Sequence, residues 1–463
     1  MNAKRLCCAL IFGLSGLVAD SPTASRATSA PGFTWGGTEK MRGVNIGGWL
    51  VLEPWITPSL FASKPPWVVD EWTYGQYMAS KTEPLAEIRN HWNTWLSFVE
   101  LENIAAVGLN TIRIPIGFWS VIPLLSDEPY LVGAYDFLKL AVTWAQSLNL
   151  KVMVDLHGAP GSQNGFDNSG LRGTREWFVN TSNVARTTSA LQVLTAEFTR
   201  PQYNGTVLTV ELINEPFPYT PDELDFLKSY YQKAYSTVNA ASEQSTIVVA
   251  IDQAFQGLSI WQDFMTEPSF HNVAQDTHIY SMFDLTLIQM GYDENLQWYC
   301  SQYDSLEQSN QAHWTIVGEF TPAHTDCAMW LNGRGTGARY DNTLHGTAAL
   351  AFPGDCRAKS SGDPTQFSAD YIDHLGASFE TQTWIYELAA SGWIQWTWKT
   401  EEAADWSLSA GITYGWIPTP ITAKPHGTPC NFSSLQASGE PSNFAPDYYW
   451  WMTILLVLLH ACA

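Results

Sequence analysis

Short apolar runs rich in β-branched and aromatic residues recur along the chain, separated by longer stretches with apolar residues at helical spacing. The runs fall at residues 43–46, 111–114, 151–156, 207–213, 246–251, 274–280, 315–318 and 393–396. Segments 84–107, 135–148, 222–240 and 367–390 read as helices, the third opened by Pro221-Asp222-Glu223. Eight strands alternating with helices predict an α/β fold, a (β/α)8 TIM barrel forming a single catalytic domain with loop insertions.

In such a barrel the active site is assembled at the C-terminal ends of the strands. Polar residues concentrate at those ends. Arg113 lies in the second run, His157 follows the third, and Asn214 and Glu215 follow the fourth. His278 and Tyr280 belong to the sixth, Glu319 follows the seventh, and Trp398 follows the eighth. Glu215 and Glu319 each close an apolar run, a costly place for a carboxylate without a partner or a function. One such glutamate is commonly half of an ion pair. Two of them, at the ends of the fourth and seventh strands, point to chemistry. Glycoside hydrolysis needs two carboxyl groups flanking the bond, one protonated and one ionised.

Composition narrows the substrate. The chain has 463 residues, 45% of them hydrophobic, enough for a large core and too many for a disordered chain. Its net charge of -22, from 23 basic and 45 acidic residues, disfavours nucleic acid and anionic membranes as partners. A neutral substrate fits better. Indole faces stack on sugar rings; most of the 22 tryptophans fill a core, so only those beside the catalytic motifs are read as sugar platforms. No CxxC or His-x-x-His spacing suggests zinc, and no metal or organic cofactor is called for.

The N-terminus reads as a secretory signal over 1–19, with Lys4 and Arg5 before an apolar stretch, followed by a leader over 20–32. The catalytic domain then spans 33–430. Sequons at Asn180, Asn204 and Asn431 agree with export. Of seven cysteines, Cys300, Cys327, Cys356 and Cys430 lie in the mature body; two disulfides are expected, with three pairings open. The tail 431–463 fits a GPI-attachment signal, a buried terminal segment or a wrongly assigned last exon. The protein is expected to be extracellular or wall-bound and monomeric.

Longer motifs sharpen the picture. Asn-Glu-Pro ending at Pro216 and Gly-Glu-Phe ending at Phe320 resemble the catalytic motifs of glycoside hydrolase family 5. Segments 42–61, 155–170 and 396–401 resemble the fungal exo-1,3-β-glucanases of that family. The resemblance implies that Glu215 is the acid/base and Glu319 the nucleophile of a retaining reaction on β-glucan. On physical grounds the acid should have a pKa raised by desolvation and by the second carboxylate nearby, and Arg113 and Tyr280 are candidate donors to the nucleophile. Asn214 would bond the sugar 2-hydroxyl, and His157 and His278 would line the glucose pocket. Glu53, Asp167 and Asn168 would grip the terminal glucose, Trp398 would lie under it, and Phe166 and Phe283 would clamp the next sugar. It also implies the pairings Cys300 with Cys430 and Cys327 with Cys356. Residues 401–407 and the tail depart from that pattern. Other readings are a β-1,6- or 1,4-glucan specificity, transglucosylation, or a non-catalytic wall-binding barrel.

Overall fold

The protein is described here by a computed structural model covering residues 32–430, except Ser245 and Thr428. The expected signal, nearly all of the leader, the tail, Asn431, Cys7, Cys8 and Cys462 lie outside the described residues. Eight strands form one closed parallel barrel in sequence order. They are β1 (Met41–Asn45), β2 (Thr111–Gly117), β3 (Lys151–Gly158), β4 (Val207–Glu211), β5 (Val248–Asp252), β6 (Val273–Ile279), β7 (Trp314–Phe320) and β8 (Gly392–Gln395). Each expected run overlaps one of them.

These strands read as apolar runs because both of their faces are covered. Val44, Ile112, Ile114, Val152, Val154, Val210, Val249, Ile251 and Val317 join the core shared with the surrounding helices. Met41, Met153, Ala250 and Ile316 come from β1, β3, β5 and β7 and pack together with Phe33 and Ile394. They form a layer from alternate strands, the usual filling of such a barrel. Beyond this layer the filling turns polar around Arg113, and that change places the site.

Three expected helices are present with small shifts: Ala134–Ser147, Pro221–Ala241 and Ala369–Ala389. The fourth, expected over 84–107, is two helices, Ala86–Trp95 and Phe98–Ala106. Leu96 turns extended, and Ser97 then caps the second helix in a capping box with Glu100. Thr181–Phe198 is a further helix between β3 and β4, with Asn180 as its N-cap accepting from Ser182. Asn180 and Asn204 are both exposed. Disulfides join Cys300 to Cys430 and Cys327 to Cys356.

Candidate active site

Arg113 enters the barrel from β2 and is fully buried. Its Nε donates to Glu211 Oε2 at 2.8 Å, its Nη1 to Asn45 Oδ1 at 2.9 Å and its Nη2 to Asn214 Oδ1 at 2.7 Å. Nη1 also donates to Glu319 Oε1 at 3.0 Å, and Asp155 Oδ2 lies 3.1 Å from Nη2. Burial alone would lower its pKa, but Asp155, Glu211 and Glu319 hold it charged, well above the ordinary arginine range. The fork of fixed donors sets the positions of Asn214 and Glu319 together.

Glu319 takes its second donor from Tyr280, whose hydroxyl lies 2.9 Å from Oε2. Glu215 sits opposite, just past β4, with a backbone φ of 45°. A left-handed conformation is rare outside glycine and clusters at functional sites. Its Oε1 accepts from His278 Nδ1 at 2.8 Å and its Oε2 from Asn168 Nδ2 at 3.3 Å. His278 Nδ1 is also 3.5 Å from Glu319 Oε2. One oxygen of Glu215, one of Glu319 and one His278 nitrogen all lie within 4.8 Å of one another.

Electrostatics within this trio differs from the expectation of a raised Glu215. Burial would raise the Glu215 carboxyl, but the His278 hydrogen bond and the His278 and His157 charges outweigh it and hold it below its ordinary range. Burial raises Glu319, with His278 and Arg113 opposing and Glu215 assisting. Burial would lower His278, yet Glu319, Asp276 and Glu215 hold it protonated well above its ordinary value. The physical reason is that β6 delivers an imidazolium against Glu215. The pair still contains one transferable proton: imidazolium with carboxylate has the same proton count as imidazole with carboxylic acid.

The other expected residues surround this centre. His157 Nδ1 contacts Asp155 Oδ2 at 2.6 Å, and its ring stacks on Trp396 at 5.6 Å. His157 Nε2 and Asn214 Nδ2 are buried without a protein partner, and both suit sugar hydroxyls. Glu53 is buried and accepts from the Trp55 indole at 3.0 Å; burial and the Asp167 charge raise it well above the ordinary range. Burial pushes Asp167 up to about 6. Trp398 is 5% exposed and tied through its backbone N–H to Asn45 O at 2.9 Å. Phe283 packs on Tyr280 and Trp406, with the Arg339 guanidinium 5.6 Å above its ring. Phe166 rests against Phe217 and Phe255.

Sequence reasoning missed the buried acids beneath the site. Asp155, Glu211, Asp252 and Asp276 are at most 1% exposed, and each stands inside or at the end of an apolar run, a signal available in the sequence. Asp276 Oδ1 accepts the Gly318 N–H at 2.8 Å, and a Cβ on Gly318 would fall 2.2 Å from that carboxylate. The backbone before Glu319 is therefore free of a side chain for a packing reason. Two acidic sets, Glu211 with Asp276 and His278, and Glu215 with His278 and Glu319, have the spacing of cation ligands. Arg113 and protonated His278 already supply positive charge to both.

Comparison with known proteins agrees with this geometry. Residues 80–328 match the model of cellulase, glycosyl hydrolase family 5. The sequence is 40% identical to a probable glucan 1,3-beta-glucosidase A of Aspergillus niger, over 91% of this chain and 98% of that protein. It is 40% identical to a glucan 1,3-beta-glucosidase of Blumeria graminis, over 87% of this chain and 92% of that protein. The crystal structure of a rutinosidase from Aspergillus niger superposes with a TM-score of 0.64 at 17% identity, covering 82% of this chain and 98% of that one, which shows a common fold.

Proposed function

We propose that this chain, which belongs to glycosyl hydrolase family 5, is a retaining glucan 1,3-β-glucosidase that releases glucose from the non-reducing ends of β-1,3-glucan. The observation that carries the mechanism is the carboxylate spacing. One oxygen of Glu215 and one of Glu319 lie within 4.8 Å of one another, with His278 Nδ1 2.8 Å from the first carboxylate and 3.5 Å from the second, and this supports the roughly 5–5.5 Å separation of a retaining pair. An inverting pair stands roughly 6.5–9.5 Å apart to admit water.

In this reading Glu319 attacks the anomeric carbon while the bond to the leaving oxygen breaks. Glu215 gives that oxygen the proton it shares with His278. Arg113 and Tyr280 hold Glu319 as the attacking anion. Water then attacks the glucosyl ester, Glu215 takes back a proton, and the Glu319–sugar bond breaks. Asn214 bonds the 2-hydroxyl, His157 a neighbouring hydroxyl, and Glu53, Asp167 and Asn168 the far edge of the terminal glucose. Trp398 lies under the ring, and Phe166 and Phe283 flank the next sugar.

Chromatography of early products from laminarin, pustulan and cellulose tests the substrate. Glucose alone from laminarin is expected, and a ladder of oligomers would contradict attack at chain ends. Export belongs to the same proposal, and two disulfides fit an oxidising compartment. N-terminal sequencing of the native protein should begin past residue 19, and release from membranes by a phosphatidylinositol phospholipase would show that the tail carries an anchor.

A further inference from the structure

Asp70 and Glu71 open the helix Glu71–Met78, outside the network described above, and each is 1% exposed. Asp70 Oδ1 caps the helix by accepting from Thr73 N at 2.7 Å. Its other oxygen is not needed for the cap, and it accepts the Arg172 N–H at 2.7 Å. Glu71 Oε2 accepts the Leu52 N–H at 2.9 Å, and its Oε1 accepts the Trp119 indole at 2.8 Å. Trp72 N donates to Gly170 O at 2.9 Å.

Three consecutive residues thus hold two loops at once. Leu52 directly precedes Glu53 in the loop after β1. Gly170 and Arg172 lie just past Asp167 and Asn168 in the loop after β3. Trp119, which donates its indole N–H to Glu71, is stacked on Tyr130 at 4.3 Å. A Cβ on Gly158 or Gly170 would fall 2.5 or 2.4 Å from the Trp119 ring, so the loop after β3 closes on it without clearance.

Each of the two loops brings a carboxyl to the far end of the pocket. Glu53 on the first loop is 4% exposed and accepts from the Trp55 indole of its own loop at 3.0 Å. Asp167 Oδ2 is buried with no protein partner. Side chains of a binding pocket keep their positions when groups outside the pocket fix the loops that carry them. We propose that Asp70, Glu71 and Trp72 form a bracket that locks the Glu53 loop to the Asp167 loop, and that this lock builds the closed end of the pocket and confines attack to chain ends. The bracket residues position the pocket walls and take no part in bond breaking. The proposal rests on the glucosidase reading above.

Glu71→Gln and Asp70→Asn test it. The first sets an amide N–H against the Leu52 or Trp119 donor. The second keeps the helix cap through its amide oxygen and sets its NH2 against the Arg172 N–H. Each variant is compared with wild type on laminarin and on periodate-oxidised laminarin. Oxidation destroys the terminal sugars, while internal 1,3-linked units lack vicinal hydroxyls and survive. For both variants KM on laminarin should rise about tenfold with kcat within about threefold. The pH limbs should stay in place, and the preference for intact over oxidised laminarin should narrow. A folded variant with KM within about twofold of wild type and unchanged preference overturns the bracket. So does an equal loss of kcat and kcat/KM with shifted pH limbs, because that places the defect in the catalytic pair. If Glu71→Gln does not fold, Asp70→Asn decides alone. Wild type that leaves laminarin untouched overturns the glucosidase reading itself, a result visible without either variant.

Discussion

Arg113 is surrounded by acceptors in every direction its guanidinium can donate: Glu211, Asn45, Asn214, Asp155 and Glu319. Removing it would leave several buried carboxylates without a counter-charge, a change that typically costs about 3–5 kcal/mol. Arg113→Met should therefore lose stability on that order in urea unfolding, besides losing activity, and an unchanged midpoint would refute the role. At His278 the prediction concerns pH. Glu319 must be ionised to attack and is raised by burial, so kcat/KM climbs through a pKa above the ordinary glutamate value. The proton shared by His278 and Glu215 must be present, and His278 is held well above its ordinary value, so kcat/KM falls at still higher pH. His278→Gln removes the proton-sharing partner and should move the alkaline limb down by at least ~1 unit. An alkaline limb that stays in place would separate His278 from the proton. From the sequence, Glu215 and Glu319 were legible because they end apolar runs. The direction of the Glu215 shift was not, because it depends on an imidazolium supplied by a strand 63 positions away.

At the level of elements, Trp119 shows how tightly the barrel rim is packed. A Cβ at Gly158 would fall 2.5 Å from its ring and 2.6 Å from Ser169 O, a backbone atom that cannot swing aside. Gly158→Ala should cost about 1–3 kcal/mol by chemical denaturation, the usual penalty of overpacking. The eight strands were readable because burial on both faces leaves apolar runs whatever the loops do. The helices were less so. Ser97 and Glu100 divide one apolar pattern into two helices, and the capping box that does this is a short signal inside a long periodicity. Thr181–Phe198 escaped because threonines such as Thr187 and Thr195 stand on its buried face and break the apolar periodicity, although Asn180 caps it. The bracket at Asp70 was not legible at all. It joins loops through backbone N–H groups, which carry no sequence signature.

The whole molecule stores many buried carboxyls. Burial raises Glu71 to about 8, and Asp252 and Asp405 to about 7. Above pH 6.5 the folded chain therefore binds more protons than the unfolded one, so stability falls as pH rises, by roughly 1.4 kcal/mol per pH unit for each such group until its folded pKa is passed. His278, raised in the fold, acts in the same direction. At lower pH the buried His91 and His324, both lowered to about 4, oppose this, since the unfolded chain takes up their protons first. Calorimetry should show a higher Tm near pH 5.5 than at pH 8, and the reverse order would refute this distribution of charge. The barrel brings Glu215 and Glu319 close enough for a covalent route, and that is the central claim. NMR of the first sugar released from laminarin by wild type tests it most directly, with Glu215→Ala and Glu319→Ala as inactive controls. β-Glucose appearing first, before mutarotation, is the predicted result. α-Glucose appearing first would mean inversion, and Glu319 could not be the nucleophile.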